Sequence, residues 1–224
     1  MNPTRPLPWL AALTLLSAAL AILAAVGALP APLLFAFKPL TTLLVIAHAW
    51  PRGAGAPRQR RLILLGLALS LVGDVALLWP RQGFLPGLVA FLLAHLAYIA
   101  AFCVPVRLAA RPLPFALYAF VALAILSQLW PGIPGALRAP VVAYVVCLAT
   151  MAAQALVWWR TSAPLDAVLA RRAALGGALF MVSDGLLAIN KFGTPLPLAA
   201  LWILASYWLA QWCIASALRA PTSP

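Results

Sequence analysis

The chain has 224 residues, of which 66% are hydrophobic and only 8% charged, and its mean hydropathy is +1.05. A soluble domain of this length needs a polar surface that such a composition cannot supply. The net charge of +12 does not indicate nucleic-acid binding, because no basic patch with interleaved aromatics falls on a soluble segment. What remains is an all-α, polytopic helix bundle whose solvent is the lipid bilayer.

Apolar stretches of about 18 to 24 residues recur from end to end, each long enough for a hydrocarbon core of about 30 Å. The first, Trp9–Leu29, follows Arg5 and superficially resembles a signal peptide. Its apolar run exceeds a signal core of about 7 to 15 residues, so it reads as a retained first helix. The second to sixth spans are Leu33–Trp50, Leu62–Trp79, Phe84–Val104, Leu113–Trp130 and Ala136–Trp159. Ala173–Asn190 and Leu196–Leu218 complete eight transmembrane helices in one integral membrane domain, residues 1–224. Trp, Pro and Gly at many span ends act as interfacial anchors and turn residues. The longest connection, Arg160 to Arg172, is too short for a soluble domain.

Basic residues between spans are unevenly divided. One side receives Arg5, Arg52, Arg58, Arg60, Arg61, Arg107, Arg111, Arg160, Arg171, Arg172 and Arg219, the other only Arg81, Arg138 and Lys191. The positive-inside rule then places both termini in the cytoplasm, at the inner membrane if the host is bacterial. Cys103, Cys147 and Cys213 all fall within apolar spans without a CxxC pair, so they read as small buried residues. Gly66 to Asp74 can be laid over Gly176 to Asp184, with Ala, Leu and Val matched between. That pattern suits two parallel four-helix halves.

The informative residues are those that hydrocarbon excludes. An ionised Asp at mid-helix costs roughly 2.5 to 3.5 kcal/mol on insertion scales, and such residues face a protein interior or a watery cavity. Of only three acids, Asp166 falls in the basic connection. Asp74 and Asp184 lie roughly 16 to 18 Å up helices three and seven, at 1.5 Å per residue, and so share a depth slightly beyond the midplane. Lys38, Thr41 and Thr42 approach that depth on helix two, His95 and Tyr98 on helix four, and Tyr207 and Gln211 on helix eight. Ser70 shares a face with Asp74, Ser183 precedes Asp184, and Asn190 and Lys191 close helix seven. His48 reads as interfacial.

Two histidines on separate helices cannot build a three-histidine zinc site, and HExxH, GxSxG, Walker and GxGxxG patterns are all absent. Two carboxyl groups in an apolar pocket remain: an acid–base constellation that calls for no metal and no cofactor. Desolvation and a neighbouring carboxylate both favour the neutral form of one such group, so one Asp can keep its proton beside an ionised partner. Which is which stays open.

At these residues the sequence resembles the YhhN-type lysoplasmalogenases. The matching blocks are Lys38 to Thr42, Ser70 to Asp74, Gly87 to Tyr98, Gly177 to Ala188, and Tyr207 to Gln211, in family order on helices two, three, four, seven and eight. The resemblance implies an eight-helix hydrolase that cleaves the vinyl ether bond of a membrane lysophospholipid. The products are a fatty aldehyde and glycerophosphocholine or glycerophosphoethanolamine. It also implies that the catalytic pair is Asp74 and Asp184. Enol ethers hydrolyse by protonation at carbon, giving an oxocarbenium ion that water captures, a problem that glycosidases also solve with two carboxyl groups. His95 and Tyr98 are then expected to orient water or a carboxyl, and Lys38 to hold the substrate phosphate. Two alternatives use the same residues: a small proton-coupled transporter, and a structural protein in which both aspartates serve packing.

Overall fold

The computed structural model describes residues 8–79 and 81–220; Arg5, counted above in the charge asymmetry, lies outside them. The described residues form eight helices and no strand: α1 (Pro8–Ala25), α2 (Pro32–Ala49), α3 (Pro57–Ala76), α4 (Phe84–Phe102), α5 (Leu113–Leu129), α6 (Gly135–Thr161), α7 (Pro164–Phe192) and α8 (Ala199–Ala215). Proline stands in the first turn of α2, α3, α5 and α7, where its missing N–H is not needed and its fixed φ suits the helix. Five helices (α2, α4, α5 with its following 3-10 turn, α6 and α7) are long and apolar enough to cross a membrane. Helices α1 and α8 are apolar as well, and α3 opens on Arg58, Arg60 and Arg61. Large apolar side chains face outward around the bundle, including Leu15, Leu113 and Phe120, each more than two thirds exposed. Such a surface belongs in lipid, and the protein is an integral membrane protein.

Two boundaries differ from the sequence expectation for one physical reason. Hydropathy ends where apolar residues end, but a helix continues wherever its backbone bonds and caps allow. Residues Arg160 to Arg172 are therefore not a loop: α6 runs to Thr161 and α7 begins at Pro164. Asp166 sits in the first turn of α7, where a negative charge complements the helix dipole, and it pairs with Arg219. Similarly, α3 starts at Pro57 and stops at Ala76, which places Asp74 in its last turn rather than near its middle.

Packing follows chain order and then repeats. In the first half α1 packs on α2, α2 on α3 and α3 on α4; in the second α5 packs on α6, α6 on α7 and α7 on α8. The halves meet through α2 against α8 and α4 against α6, and α1 also reaches α8. Without a hydrophobic drive between helices in lipid, close approach depends on small residues. Glycines supply it between α3 and α4: a Cβ on Gly66 would enter the ring of Tyr98, and one on Gly73 would come within 2.6 Å of Phe91 Cε2. Gln154 of α6 ties in the end of α4, donating to the carbonyls of Phe102 (3.4 Å) and Val106 (3.2 Å) and accepting from Ala109 N at 3.1 Å.

Because the Tyr98 ring is fully buried, it has nowhere to withdraw, and Gly66→Ala is expected to destabilise by about 1–3 kcal/mol through overpacking. Thermal unfolding in detergent should show a lower midpoint for that variant. Gly55→Ala, where nothing lies within 4 Å of the new Cβ, should leave the midpoint unchanged.

Candidate active site

Asp74 reaches its site at the end of α3, where the last carbonyls of a helix lack intrahelical partners. Lys38, one helix over on α2, serves both needs at once. Its Nζ donates to the Asp74 carbonyl oxygen at 3.1 Å and lies 3.7 Å from the carboxylate Oδ1. The other carboxylate oxygen, Oδ2, accepts from Thr42 Oγ1 at 2.6 Å and from the Tyr207 hydroxyl at 2.6 Å. Those donors are themselves held. Trp208 Nε1 donates to Thr42 Oγ1 at 3.3 Å, Gln211 Nε2 donates to the Tyr207 hydroxyl at 3.2 Å, and Tyr98 donates to Gln211 Oε1 at 2.7 Å. Asp74 is thus a buried carboxyl group encircled by donors from α2 and α8.

Asp184 lies within α7 and is held from α6 and α4. The Tyr144 hydroxyl donates to its Oδ2, and His95 Nε2 lies 3.0 Å from the same hydroxyl and 3.6 Å from Asp184 Oδ2. His95 Nδ1 is buried without a hydrogen-bond partner, which leaves Nε2 as the ring nitrogen engaged with Tyr144. The ring stands edge-on to Phe180, with centroids 4.8 Å apart. Asp184 keeps a side-chain exposure of 13%, against 2% for Asp74. The second carboxyl is the more accessible one.

Both aspartates line a single cavity of about 420 Å³, together with Lys38, Tyr144, Tyr207, Ser183, Asn190 and Lys191. The rest of its wall is apolar, with Leu34, Leu77, Leu88, Phe91, Ile125 and Leu126 among the contributors. On the opposite side of Asp74 along the helices, toward the basic ends, the interior is closed by fully buried Ile63, Leu67, Tyr98, Phe102, Met151 and Ile214. The cavity therefore occupies the half of the bundle away from the arginine-rich connections.

The other residues singled out from the sequence take distinct places. Lys38, expected to hold the substrate phosphate, is buried against Asp74. Ser70 donates back to the Gly66 carbonyl of its own helix at 2.9 Å, and Ser183 clasps α8 by donating to the Ile203 carbonyl at 3.0 Å. Asn190 Oδ1 accepts from Leu196 N at 3.0 Å and so braces the turn into α8. Lys191 is exposed, with Nζ 4.0 Å over the Phe84 ring. Tyr98 joins the Asp74 network through Gln211; its ring is tilted against that of His95 with centroids 6.5 Å apart. Thr41 bonds to Ser17 of α1 at 2.8 Å. His48, in the last turn of α2, is buried in the bundle and stacked on Trp212 at 3.9 Å. Among the described residues, no three His, Cys, Asp or Glu side chains gather where they could share a metal ion.

Sequence reasoning passed over Tyr144. The chain has only four tyrosines, and three of them, Tyr98, Tyr144 and Tyr207, enter these networks. A survey of hydroxyls within spans would have found it. The apolar wall from α5 was also missed, since neither charge nor motif marks it.

A family model described as "YhhN family" matches residues 33–218. The human lysoplasmalogenase TMEM86B is 37% identical over 191 residues, covering 82% of this chain and 75% of the relative. The human lysoplasmalogenase TMEM86A is 34% identical over 180 residues, covering 77% and 71%. A lysoplasmalogenase of Mycobacterium tuberculosis is 34% identical over 165 residues, covering 70% and 59%. No solved structure matches the chain. With most of its length matched, and with both membrane aspartates inside the matched region, the chain belongs to the YhhN family.

Proposed function

We propose that the protein hydrolyses the vinyl ether bond of lysoplasmalogens, releasing a fatty aldehyde and a glycerophospho-headgroup alcohol. The observation that carries this reading is the pair of carboxyl groups, from α3 and α7, on one largely apolar cavity. It is supported by relatives named lysoplasmalogenase. A single-chain lipid suits such a cavity, since the alkenyl tail contacts apolar side chains and the reacting oxygen meets the polar ones.

Asp74 is the carboxylate of the pair. Burial disfavours an ionised carboxyl, and the two hydroxyl donors and the ammonium that all face Asp74 offset that cost. Asp184, more accessible and held through Oδ2 by Tyr144, is the acid. Its free carboxyl oxygen delivers a proton to the vinyl carbon remote from the ether oxygen. The positive charge that forms on the carbon–oxygen unit is stabilised by the fixed negative charge of Asp74. Water adds to the cationic carbon, and Asp184, now ionised, takes a proton from that water. The resulting hemiacetal collapses to aldehyde and alcohol, so every atom is supplied by substrate, water and a recycled proton. His95 is a positioning residue that holds Tyr144. With Lys38 committed to Asp74, the headgroup phosphate falls to Lys191, the exposed cation on the cavity wall. We place both termini in the cytoplasm, which puts the cavity in the outer half of the membrane.

Asp184→Asn should reduce aldehyde release from a vinyl ether lysolipid by about 10²- to 10⁴-fold, the range of a lost general acid, while the purified protein keeps its thermal midpoint. Near-normal turnover in that variant would remove the mechanism. Asp74→Asn strands Lys38, so the informative variant is Lys38→Met with Asp74→Asn. It should retain its fold but lose activity to a similar degree.

Tyr144→Phe should lower kcat about 10- to 100-fold, because Asp184 becomes charged as its proton leaves and a hydrogen bond to a charged group contributes about 1.5–3 kcal/mol. Lys191→Met should instead raise KM about tenfold at unchanged kcat, the signature of a contact made equally in ground and transition states. Steady-state aldehyde release with phospho- and dephospho-substrates checks both, since the Lys191 effect should vanish for an alkenyl glycerol without phosphate.

A further inference from the structure

At the end of the bundle away from the cavity, three helices bring two guanidinium groups to one buried polar pair. His48, in the last turn of α2, is 3% exposed, and its Nε2 lies 3.0 Å from Ser216 Oγ at the end of α8. Arg52, 5% exposed, donates from Nε to the His48 carbonyl at 3.1 Å. Arg172, half-buried on α7, donates from Nη1 to the Ser216 carbonyl at 3.1 Å. Each arginine thus spends one donor on a backbone carbonyl and keeps the rest of its fork.

Neither has a carboxylate partner among the described residues. The whole chain carries three acids, and each is engaged elsewhere: Asp74 with Lys38, Asp184 with Tyr144 and His95, and Asp166 with Arg219. Burial, and then the nearby Arg172 charge, push the Arg52 guanidinium down from its ordinary value, the opposite of what a structural ion pair does. At the same end, in the first turn of α3, Gln59 Nε2 is a buried donor without an acceptor. A buried cation without a counter-charge among the described residues is costly, and the half-buried charge of Arg172 nearby adds to that cost. An anion between the two forks removes both penalties at once.

We propose that Arg52 and Arg172 form a binding site for a phosphate-bearing anion, separate from the catalytic cavity. Planar guanidinium forks suit phosphate oxygens through paired N–H donors. The ends of α2 and α8 also carry exposed Trp50 and Trp212, stacked on His48, and aromatic rings at span ends mark the headgroup level. The phosphodiester of an anionic phospholipid and free inorganic phosphate share this chemistry. The site does not depend on how the aspartates work.

The test is thermal unfolding of the full chain in neutral detergent with added phosphatidylglycerol, phosphatidylcholine, or inorganic phosphate against chloride at equal ionic strength. A midpoint raised by several degrees with phosphatidylglycerol, but not with phosphatidylcholine or chloride, is expected, and Arg52→Gln with Arg172→Gln should abolish it. An equal rise with inorganic phosphate would identify the free anion as the source. Absence of any rise in the wild type, or a full rise in the double variant, overturns the site. Should the double variant fail to fold, native mass spectrometry of wild type, Arg172→Gln and an Arg58→Gln/Arg61→Gln control decides. Retention of phosphatidylglycerol should fall about tenfold in Arg172→Gln and stay near wild type in the control, in which the replaced arginines are exposed on α3. An equal fall in both would mean diffuse charge attraction and would reject the site.

Discussion

A carboxyl group can reside in hydrocarbon only if the protein brings donors to it, and much of this bundle is arranged around meeting that demand twice. Asp74 on α3 is held by a hydroxyl from α2, the helix before it, and by a phenol from α8. Asp184 on α7 is held by a phenol from α6, the helix before it, and approached by an imidazole from α4. Each aspartate therefore takes its partners from the preceding helix of its own half and from the last helix of the other half. The α2–α8 and α4–α6 contacts that join the halves are the contacts that carry these partners. Helix packing and site assembly are one event here.

Much of this was legible because the membrane makes polarity conspicuous. Asp74, Asp184, Lys38, Thr42, His95, Tyr207 and Gln211 stand out against long apolar runs, and the structure gathers them into two adjoining networks. Partner choice was less legible. Ser70 shares a face with Asp74 and Tyr98 was expected to orient water or a carboxyl, yet Ser70 bonds its own helix, as serine in a helix often does, and Tyr98 reaches across to Gln211. Tyr144 stayed hidden because a tyrosine among apolar residues reads as a membrane side chain until α6 is packed against α7. Helix ends were misjudged wherever helix outlasts hydropathy, as in the first turns of α3 and α7.

The first helix shows how structure adds to a family match. The match begins at residue 33, after α1, yet α1 braces the site from behind. Ser17 bonds to Thr41, and Thr41 is the neighbour of the Thr42 that holds Asp74. Helix α5 has an analogous position in the second half, packed chiefly on α6, and gives Ile125 and Leu126 to the cavity wall. The outer helices thus shape and steady a site whose chemistry comes from the other six.

The cavity ends against a dense layer of buried side chains, Tyr98, Phe102, Ile63, Leu67, Met151 and Ile214, and goes no further through the bundle. That layer has a physiological meaning beyond packing. A polar chamber continuous across the bilayer would let protons leak and dissipate the gradient that the membrane maintains. Tightly fitted aromatic and aliphatic groups between the cavity and the arginine-rich end put a dry layer in the way of such a leak.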